Sequence, residues 1–250
     1  SYINILFTKI MISICVLTYN GEKFVKQQLL SILQQLKDED EVIISDDCSS
    51  DSTISIIKSL NNKRIRIFHH ERIACGYKGT MKTCYLVGKN AENALQHARG
   101  EYIFLADQDD VWLRNKVEIF LKYLKEYDLV ISNHTAVHAD LQLYEGYKSK
   151  VLIPTLWNTL YRTQFLGCCM AFHRRLLSKI LPFPQVPLMH DIWIGLMALK
   201  YGRIGIIQEP LLLYRRHGGN ASVNLEKKSS NSLTFKILYR FYILKAYLNG

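Results

Sequence analysis

Arg99-Gly-Glu-Tyr-Ile-Phe-Leu-Ala-Asp-Gln-Asp-Asp-Val-Trp112 is the stretch on which the reading of this chain turns. Glu101 to Ala106 is apolar, β-branched and aromatic, and is entered through Gly100, as a short buried strand would be. It empties into Asp107, Asp109 and Asp110. Carboxylates packed that closely repel one another and are costly to strip of water. A hard divalent cation relieves both problems, and oxygen ligands are what Mg²⁺ or Mn²⁺ prefers. The stretch therefore predicts a metal site at the carboxyl end of a central strand, where open α/β sheets bind ligands. The plainer alternative is an acidic turn capping a helix that starts near Trp112. A calcium loop of EF-hand type fits less well. Counted from Asp107, Glu118 falls at the twelfth position, but the sixth is Trp112 rather than glycine.

Upstream, Met11 to Tyr19 is a β-rich run, followed by Asn20-Gly21 and a helical pattern through Leu36. A second strand, Glu41 to Ser45, runs into Asp46-Asp47-Cys48-Ser49-Ser50-Asp51-Ser52-Thr53, a cluster suited to capping a helix with Ile54, Ile57 and Leu60. Arg64 to His69 reads as a third strand, residues 70–88 as a loop, and Asn90 to Arg99 as a short helix. Leu113 to Glu126 reads as another helix, leading to a strand at Asp128 to Ser132. Such alternation implies a mostly parallel, Rossmann-like α/β sheet with helices on both faces. Three successive strand ends then bring Thr18-Tyr19-Asn20, Asp46-Asp47 and Asp107-x-Asp109 to one sheet edge.

The chain has 250 residues and 29.0 kDa, enough for one large domain. Its 48% hydrophobic and 22% charged content is that of a folded protein. Net charge +10 and pI near 9.2 favour polyanionic partners: nucleic acid, a nucleotide or an anionic membrane face. The six cysteines show no Cys-x-x-Cys pair and no zinc spacing, which implies reduced thiols and a cytosolic setting. No apolar stretch reaches the roughly 18 residues of a membrane-spanning helix. Residues 1–10 have no signal-peptide pattern and read as an extension ahead of a natural start at Met11. Neither the dinucleotide glycine fingerprint nor a P-loop follows the first strand, where Gly21 stands alone.

Met11-Ile-Ser-Ile-Cys-Val-Leu-Thr-Tyr-Asn20, Ile44-Ser-Asp-Asp-Cys-Ser-Ser-Asp-Ser-Thr53 and Gly100-Glu-Tyr-Ile-Phe-Leu-Ala-Asp-Gln-Asp-Asp-Val-Trp112 resemble the signatures of family 2 glycosyltransferases. The Asp-Gln-Asp-Asp-Val-Trp form is similar to a rhamnosyltransferase-like subgroup of bacterial O-antigen and capsule synthesis. The resemblance covers roughly residues 11–220 and implies a GT-A fold, a nucleotide-sugar donor, a divalent metal (Mn²⁺ or Mg²⁺) and inversion at the transferred sugar. Carried over position by position, it sets Thr18, Asn20 and Glu22 beside the nucleotide and Asp46 or Asp47 at the base. It sets Lys89-Asn90 near the base, Asp107 at ribose and diphosphate, and Asp109 on the metal. The segment Arg72 to Val87 is longer than the family's usual connection. On this resemblance residues 11–132 form the donor half and 133–220 the acceptor half. The acceptor is a glycan, lipid-linked, at the inner face of the cytoplasmic membrane.

Farther along, Pro182-Phe-Pro-Gln-Val-Pro-Leu-Met189 precedes His190-Asp191-Ile192-Trp193. Asp191 reads either as the N-cap of an apolar helix from Ile192 to Leu199 or as a general base held at a cleft. The resemblance favours the base. Gly167, His190 and Trp193 are expected to shape the acceptor pocket, with a core role equally open for Trp193. Tyr214-Arg215-Arg216-His217-Gly218-Gly219-Asn220 reads as a flexible cationic loop, its arginines suited to a diphosphate and His217 to the metal. The Gln-x-x-Arg-Trp motif of processive synthases is absent, which implies one sugar per encounter. Residues 221–250 form a basic apolar tail. Leu233 to Leu248 is too short and too charged to span a bilayer, and fits either a helix lying on an anionic membrane or one packed on the domain. Two rival readings are a sugar nucleotidyltransferase, whose Gly-rich, Arg-containing loop is missing, and a basic nucleic-acid module motivated only by charge. A nucleic-acid partner is not expected.

Overall fold

The computed structural model describes residues 10–72, 74–147, 149–218, 220 and 231–250. Nearly all of the expected extension and the first ten residues of the expected tail lie outside them. Within them, four parallel strands form one half of a sheet: β1 (Ile12–Thr18), β2 (Glu41–Asp46), β3 (Ile65–His69) and β4 (Tyr102–Asp107). β1, β2 and β4 are buried along almost their whole length, as near-continuous apolar runs covered by helices on both faces must be. The chain moves outward from β1 through β2 to β3, then returns to place β4 on the other side of β1. That reversal opens a crevice at the carboxyl ends of β1 and β4. Register aligns the edge: Leu17 lies beside Asp107, and Thr18 beside Asp46.

The sheet continues in the order β3-β2-β1-β4-β7-β6-β8-β5. Here β5 is Val111–Trp112, β6 Leu129–His138, β7 Met170–His173 and β8 Ile204–Arg216. The short β7 is antiparallel to both β4 and β6, whereas β6 and β8 run parallel through a bulged register. Helices α1 (Val25–Leu33), α2 (Thr53–Ser59), α3 (Gly79–Gln96) and α4 (Lys116–Leu124) connect the first half. Later come α5 (Leu156–Tyr161), α6 (Leu177–Ile180), α7 (His190–Tyr201) and α8 (Leu233–Asn249).

Three local expectations need correction. Residues 79–88 are not a loop but the first half of α3, which runs on into the expected short helix and ends at Gln96, before Arg99. Gly79 and Gly88 dilute the apolar period there, and no side chain caps the helix, so sequence offers no start signal. This helix accounts for the length between Arg72 and Val87. No helix begins at Trp112: Val111 and Trp112 pair with Leu213 and Leu212 of β8, and α4 starts at Lys116 behind left-handed Asn115. Tyr214 to Arg216 is strand, not flexible loop, because β6 and β5 hold β8 from both sides.

The edge remote from the crevice is tied by one buried carboxylate. Glu41 accepts from the Ser13 hydroxyl (2.7 Å), the Arg66 guanidinium (2.6 Å) and the Arg99 backbone N–H (2.8 Å). Gly100 N–H donates to the Ser13 hydroxyl at 2.7 Å. A Cβ at position 100 would stand 2.5 Å from the Ser13 nitrogen, so the backbones of β1 and β4 can approach only over glycine. Gly100→Ala is expected to lower unfolding free energy by about 1–3 kcal/mol, the usual range for overpacking. Urea denaturation measures it, and an unchanged midpoint would mean that the two strands can part without cost.

Candidate active site

At the crevice edge, the loops after β1 and β2 are bonded to each other. Thr18 Oγ1 donates to Asp46 Oδ1 at 2.7 Å, and Ser49 supplies Asp46 with both its N–H and its hydroxyl. Asn20 Oδ1 accepts from Ser50 N–H (2.8 Å) and Glu22 Oε2 from Ser52 N–H (3.0 Å). Thr18, Asn20, Glu22 and Asp46 thus shape the rim, and Asp46 is engaged within it. Asp47 is held between His70 Nδ1 (2.9 Å) and the Arg72 guanidinium (2.8 Å to Nη2). That guanidinium lies 3.8 Å over the half-exposed Tyr19 ring. A flat aromatic face beside a buried carboxylate is a floor on which a base can stack and be read.

The turn after β4 is clamped from several directions. Gln108 exchanges two hydrogen bonds with the Tyr19 backbone, both 2.9 Å, and Gln28 donates to the Asp107 carbonyl. Arg215 N–H donates to Asp110 Oδ1 at 2.9 Å, and its guanidinium donates to the carbonyls of Asp109 and Ala139 and to Gln27. Asp110 is wholly buried, its Oδ2 has no hydrogen-bond partner, and burial with the charges of Asp109 and Asp107 holds its carboxyl well above the usual range. Burial, then Asp109 and Asp191, push Asp107 up to about 7. Asp109 meets His217: Oδ2 lies 2.8 Å from Nε2, and Asn220 Nδ2 donates to the same oxygen.

Could these groups hold a divalent metal? Asp109 and His217 offer a carboxylate oxygen and an imidazole nitrogen that converge, partly open to solvent. Asp107 adds a second carboxylate that burial and neighbouring charge leave poorly stabilised. This donor set fits Mn²⁺ or Mg²⁺. Asp107, Asp110 and Cys168 also bring donor atoms within 4.8 Å of one another. Asp110 and Cys168 are fully buried and the thiol is a soft ligand, so that group fits a hard cation less well.

On the acceptor side, the His190 ring sits where a side chain at Gly167 would go, since a Cβ there would stand 2.5 Å from Nε2. Asp191 lies in the first turn of α7, not at its N-cap, which is Met189. Asp191 Oδ1 accepts from Ile192 N–H (2.7 Å). Burial raises the Asp191 carboxyl above its ordinary range and drives His190 toward the neutral form. Gly167, packed against His190, is followed by Cys168, whose thiol lies within 4.8 Å of an Asp107 oxygen, so the start of α7 adjoins the end of β4.

Four of the expected positions are engaged within the fold itself. Trp193 is core: 4% exposed, it donates to the Ile180 carbonyl at 2.8 Å and packs against Phe183. Lys89 forms a part-buried ion pair with Glu92 (2.6 Å), which itself accepts from Phe183 N–H in the proline-rich loop. Asn90 is a buried strut exchanging hydrogen bonds with Ser45. Arg215 and Arg216 are buried strand residues, not a mobile clamp; Arg216 donates to the Tyr214 hydroxyl at 3.0 Å. Sequence reasoning also missed Gln28, Arg72, Gln108 and Lys116, whose fully buried ammonium donates to the Cys168 carbonyl (2.7 Å) behind the aspartates. Only Gln108, inside the acidic motif, carried a local signal.

The sequence model described as glycosyl transferase family 2 matches residues 13–181. The chain is 25% identical over 227 residues to the Escherichia coli UDP-Glc:alpha-D-GlcNAc-diphosphoundecaprenol beta-1,3-glucosyltransferase WfgD, covering 87% of this chain and 81% of that protein. It is 25% identical over 216 residues to the Shigella flexneri dTDP-rhamnosyl transferase RfbG, covering 81% and 72%. In three dimensions it resembles Staphylococcus aureus TarS 1-349 in complex with UDP-GlcNAc, with TM-score 0.66, 20% identity, and coverage of 96% and 73%. Against TarS 1-349 crystallised alone it spans 60% of that chain. The shared fold is the GT-A fold.

Arg215→Lys keeps the charge but cannot serve Asp109, Ala139 and Gln27 together. It is expected to cost about 2–3 kcal/mol in urea unfolding, as buried charge-assisted hydrogen bonds do. Unchanged stability with weakened nucleoside diphosphate binding would instead make Arg215 a ligand.

Proposed function

We infer the activity of this chain from its family: it belongs to glycosyl transferase family 2, and the cleft gives that membership a specific form. The proposed reaction is transfer, with inversion, of a hexose or deoxyhexose from a UDP- or dTDP-linked donor to a lipid-linked glycan. The setting is bacterial cell-surface polysaccharide synthesis, of the O-antigen or capsule kind, at the inner face of the cytoplasmic membrane. One observation carries this reading. The Cys168 thiol, within 4.8 Å of an Asp107 oxygen at the end of β4, follows Gly167, against which the ring of His190 packs at the start of α7, directly before Asp191.

Asp191 is buried, and the Ile192 N–H holds its carboxylate at the start of α7. In the proposed reaction it accepts the proton of the acceptor hydroxyl as that oxygen bonds to the anomeric carbon. The bond from that carbon to the phosphate oxygen breaks on the opposite face, and nucleoside diphosphate departs. A single in-line displacement of this kind inverts the centre. Tyr19, Arg72 and Asp47 receive the base, while the rim of Thr18, Asn20, Glu22 and Asp46 surrounds the nucleoside. Asp109 and His217 are the residues that would hold a divalent cation. When bound, it would neutralise charge developing on the leaving diphosphate.

The carboxylates predict that nucleoside diphosphate binds only with Mn²⁺ or Mg²⁺, since otherwise they repel its phosphates. Calorimetry with and without chelator measures this, and Asp109→Ala should remove the metal-dependent part. Equal affinity with chelator present would take the metal out of the reaction.

Asp191→Asn keeps the shape and the accepted hydrogen bonds but cannot take a proton. Transfer should fall by about 10²–10⁴, the usual worth of a positioned general base. Nucleotide affinity and melting temperature should stay put. In the unsubstituted protein the base must be ionised and burial raises its pKa, so transfer should fail on acidification above the ordinary carboxylate range. Near-normal turnover of the Asn variant would assign the base to another residue.

A further inference from the structure

Two segments unused by this chemistry adjoin on the surface. The first is α5 with the chain before it, where Ile153 is 74%, Trp157 80% and Tyr161 85% exposed. The second is α8, whose Arg240 donates to the Tyr161 carbonyl at 3.5 Å. Ile243 and Ala246 bury one face of α8 against the domain, where the helix lies along α7. Its other face leaves Leu233, Ile237, Phe241, Leu244 and Leu248 exposed. These recur every three or four residues, so they form one narrow apolar stripe. Exposed apolar side chains concentrated in this way mark a binding surface.

Charge narrows the partner. Neither residues 149–164 nor residues 231–250 contain an Asp or Glu, yet they carry Lys150, Arg162, Lys236, Arg240 and Lys245. By helical phase, Arg240 and Lys245 lie on opposite flanks of the stripe. A second copy of the chain would set these cations against one another. An anionic bilayer meets both demands: aliphatic side chains enter the acyl boundary, Trp and Tyr sit at the headgroups, and cations meet the phosphates. No described helix is long and apolar enough to cross a membrane, so the contact is one of lying on the surface.

We propose that Ile153, Trp157, Tyr161 and the outer stripe of α8 dock this chain on an anionic lipid bilayer. The inner side of the same helix reaches the cleft: the Tyr239 hydroxyl accepts from Met189 N–H at 3.2 Å, two residues before Asp191. Docking through α8 therefore sets the acceptor end of the cleft next to the membrane that would carry a lipid-linked acceptor. In naming that acceptor the inference rests on the function proposed above; in naming the surface it does not.

The test uses the intact chain with vesicles of phosphatidylcholine alone and of phosphatidylcholine with phosphatidylglycerol. Sedimentation gives the bound fraction. Emission from Trp157, the exposed one of the three tryptophans, gives insertion. Preferential binding to anionic vesicles, a blue shift and weakening by salt are expected. Trp157→Ser with Phe241→Ser, and separately Arg162→Glu with Lys245→Glu, should each weaken binding by about tenfold or more. Melting temperature and Mn²⁺-dependent nucleoside diphosphate binding should be unchanged, because these side chains are exposed and remote from the aspartates. Equal binding to both vesicle types, variants that bind like the parent, or a dimer broken by Trp157→Ser with Phe241→Ser would each overturn the proposal. For the unsubstituted chain, failure to bind vesicles with nucleotide binding intact refutes the docking alone; vesicle binding without nucleotide binding refutes the transferase reading alone.

Discussion

Mutual repulsion among Asp107, Asp109 and Asp110 is the constraint on which the rest of the structure depends. Left alone, three carboxylates on one turn would spread into water, and the end of β4 would fray. Instead β1 fixes the strand in register, Gln108 ties the turn to the Tyr19 backbone, and Arg215 reaches in from β8 to hold two of its backbone and side-chain oxygens. Lys116 adds a buried positive charge from behind. The result concentrates negative charge at a place that protein groups neutralise only in part. Such a site is primed for a cation, and through it for a diphosphate that the carboxylates alone would reject.

The same logic explains the placement of the residues proposed for the acceptor. α7 is apolar nearly all round because it is buried, and its first turn carries the polar pair His190-Asp191 to the cleft. Gly167 leaves room for the His190 ring. An anionic side chain in the first turn of a helix is favoured by the helix dipole, and burial opposes that preference. The net effect raises its pKa, which makes this carboxylate a better proton acceptor than one in water.

How much of this could be read beforehand depended on how local the signal was. β1, β2 and β4 announce themselves through unbroken apolar runs ending in polar residues, and the edge that they form follows from parallel topology. Helix α3 stayed hidden because glycines interrupt its period and its apolar contacts lie on β1, β2 and α7. Arg215 looked like a ligand because arginine in a Gly-containing segment usually is mobile; only the pairing of β8 with β5 and β6 shows it to be a strut. Lys89 and Trp193 were placed by motif analogy, but their partners, Glu92 and the Ile180 carbonyl, belong to packing. Asp109 and His217 each stood out in the sequence as candidate metal ligands, though their 2.8 Å approach across 108 residues was not legible there.

The most direct test is anomalous diffraction from crystals grown with Mn²⁺ and nucleoside diphosphate. The expected result is one manganese peak in contact with Asp109 Oδ2 and His217 Nε2, bridged to the diphosphate, with the phosphates' sugar side facing Asp191. A peak among Asp107, Asp110 and Cys168, or a nucleotide bound without manganese and turned away from Asp191, would contradict it.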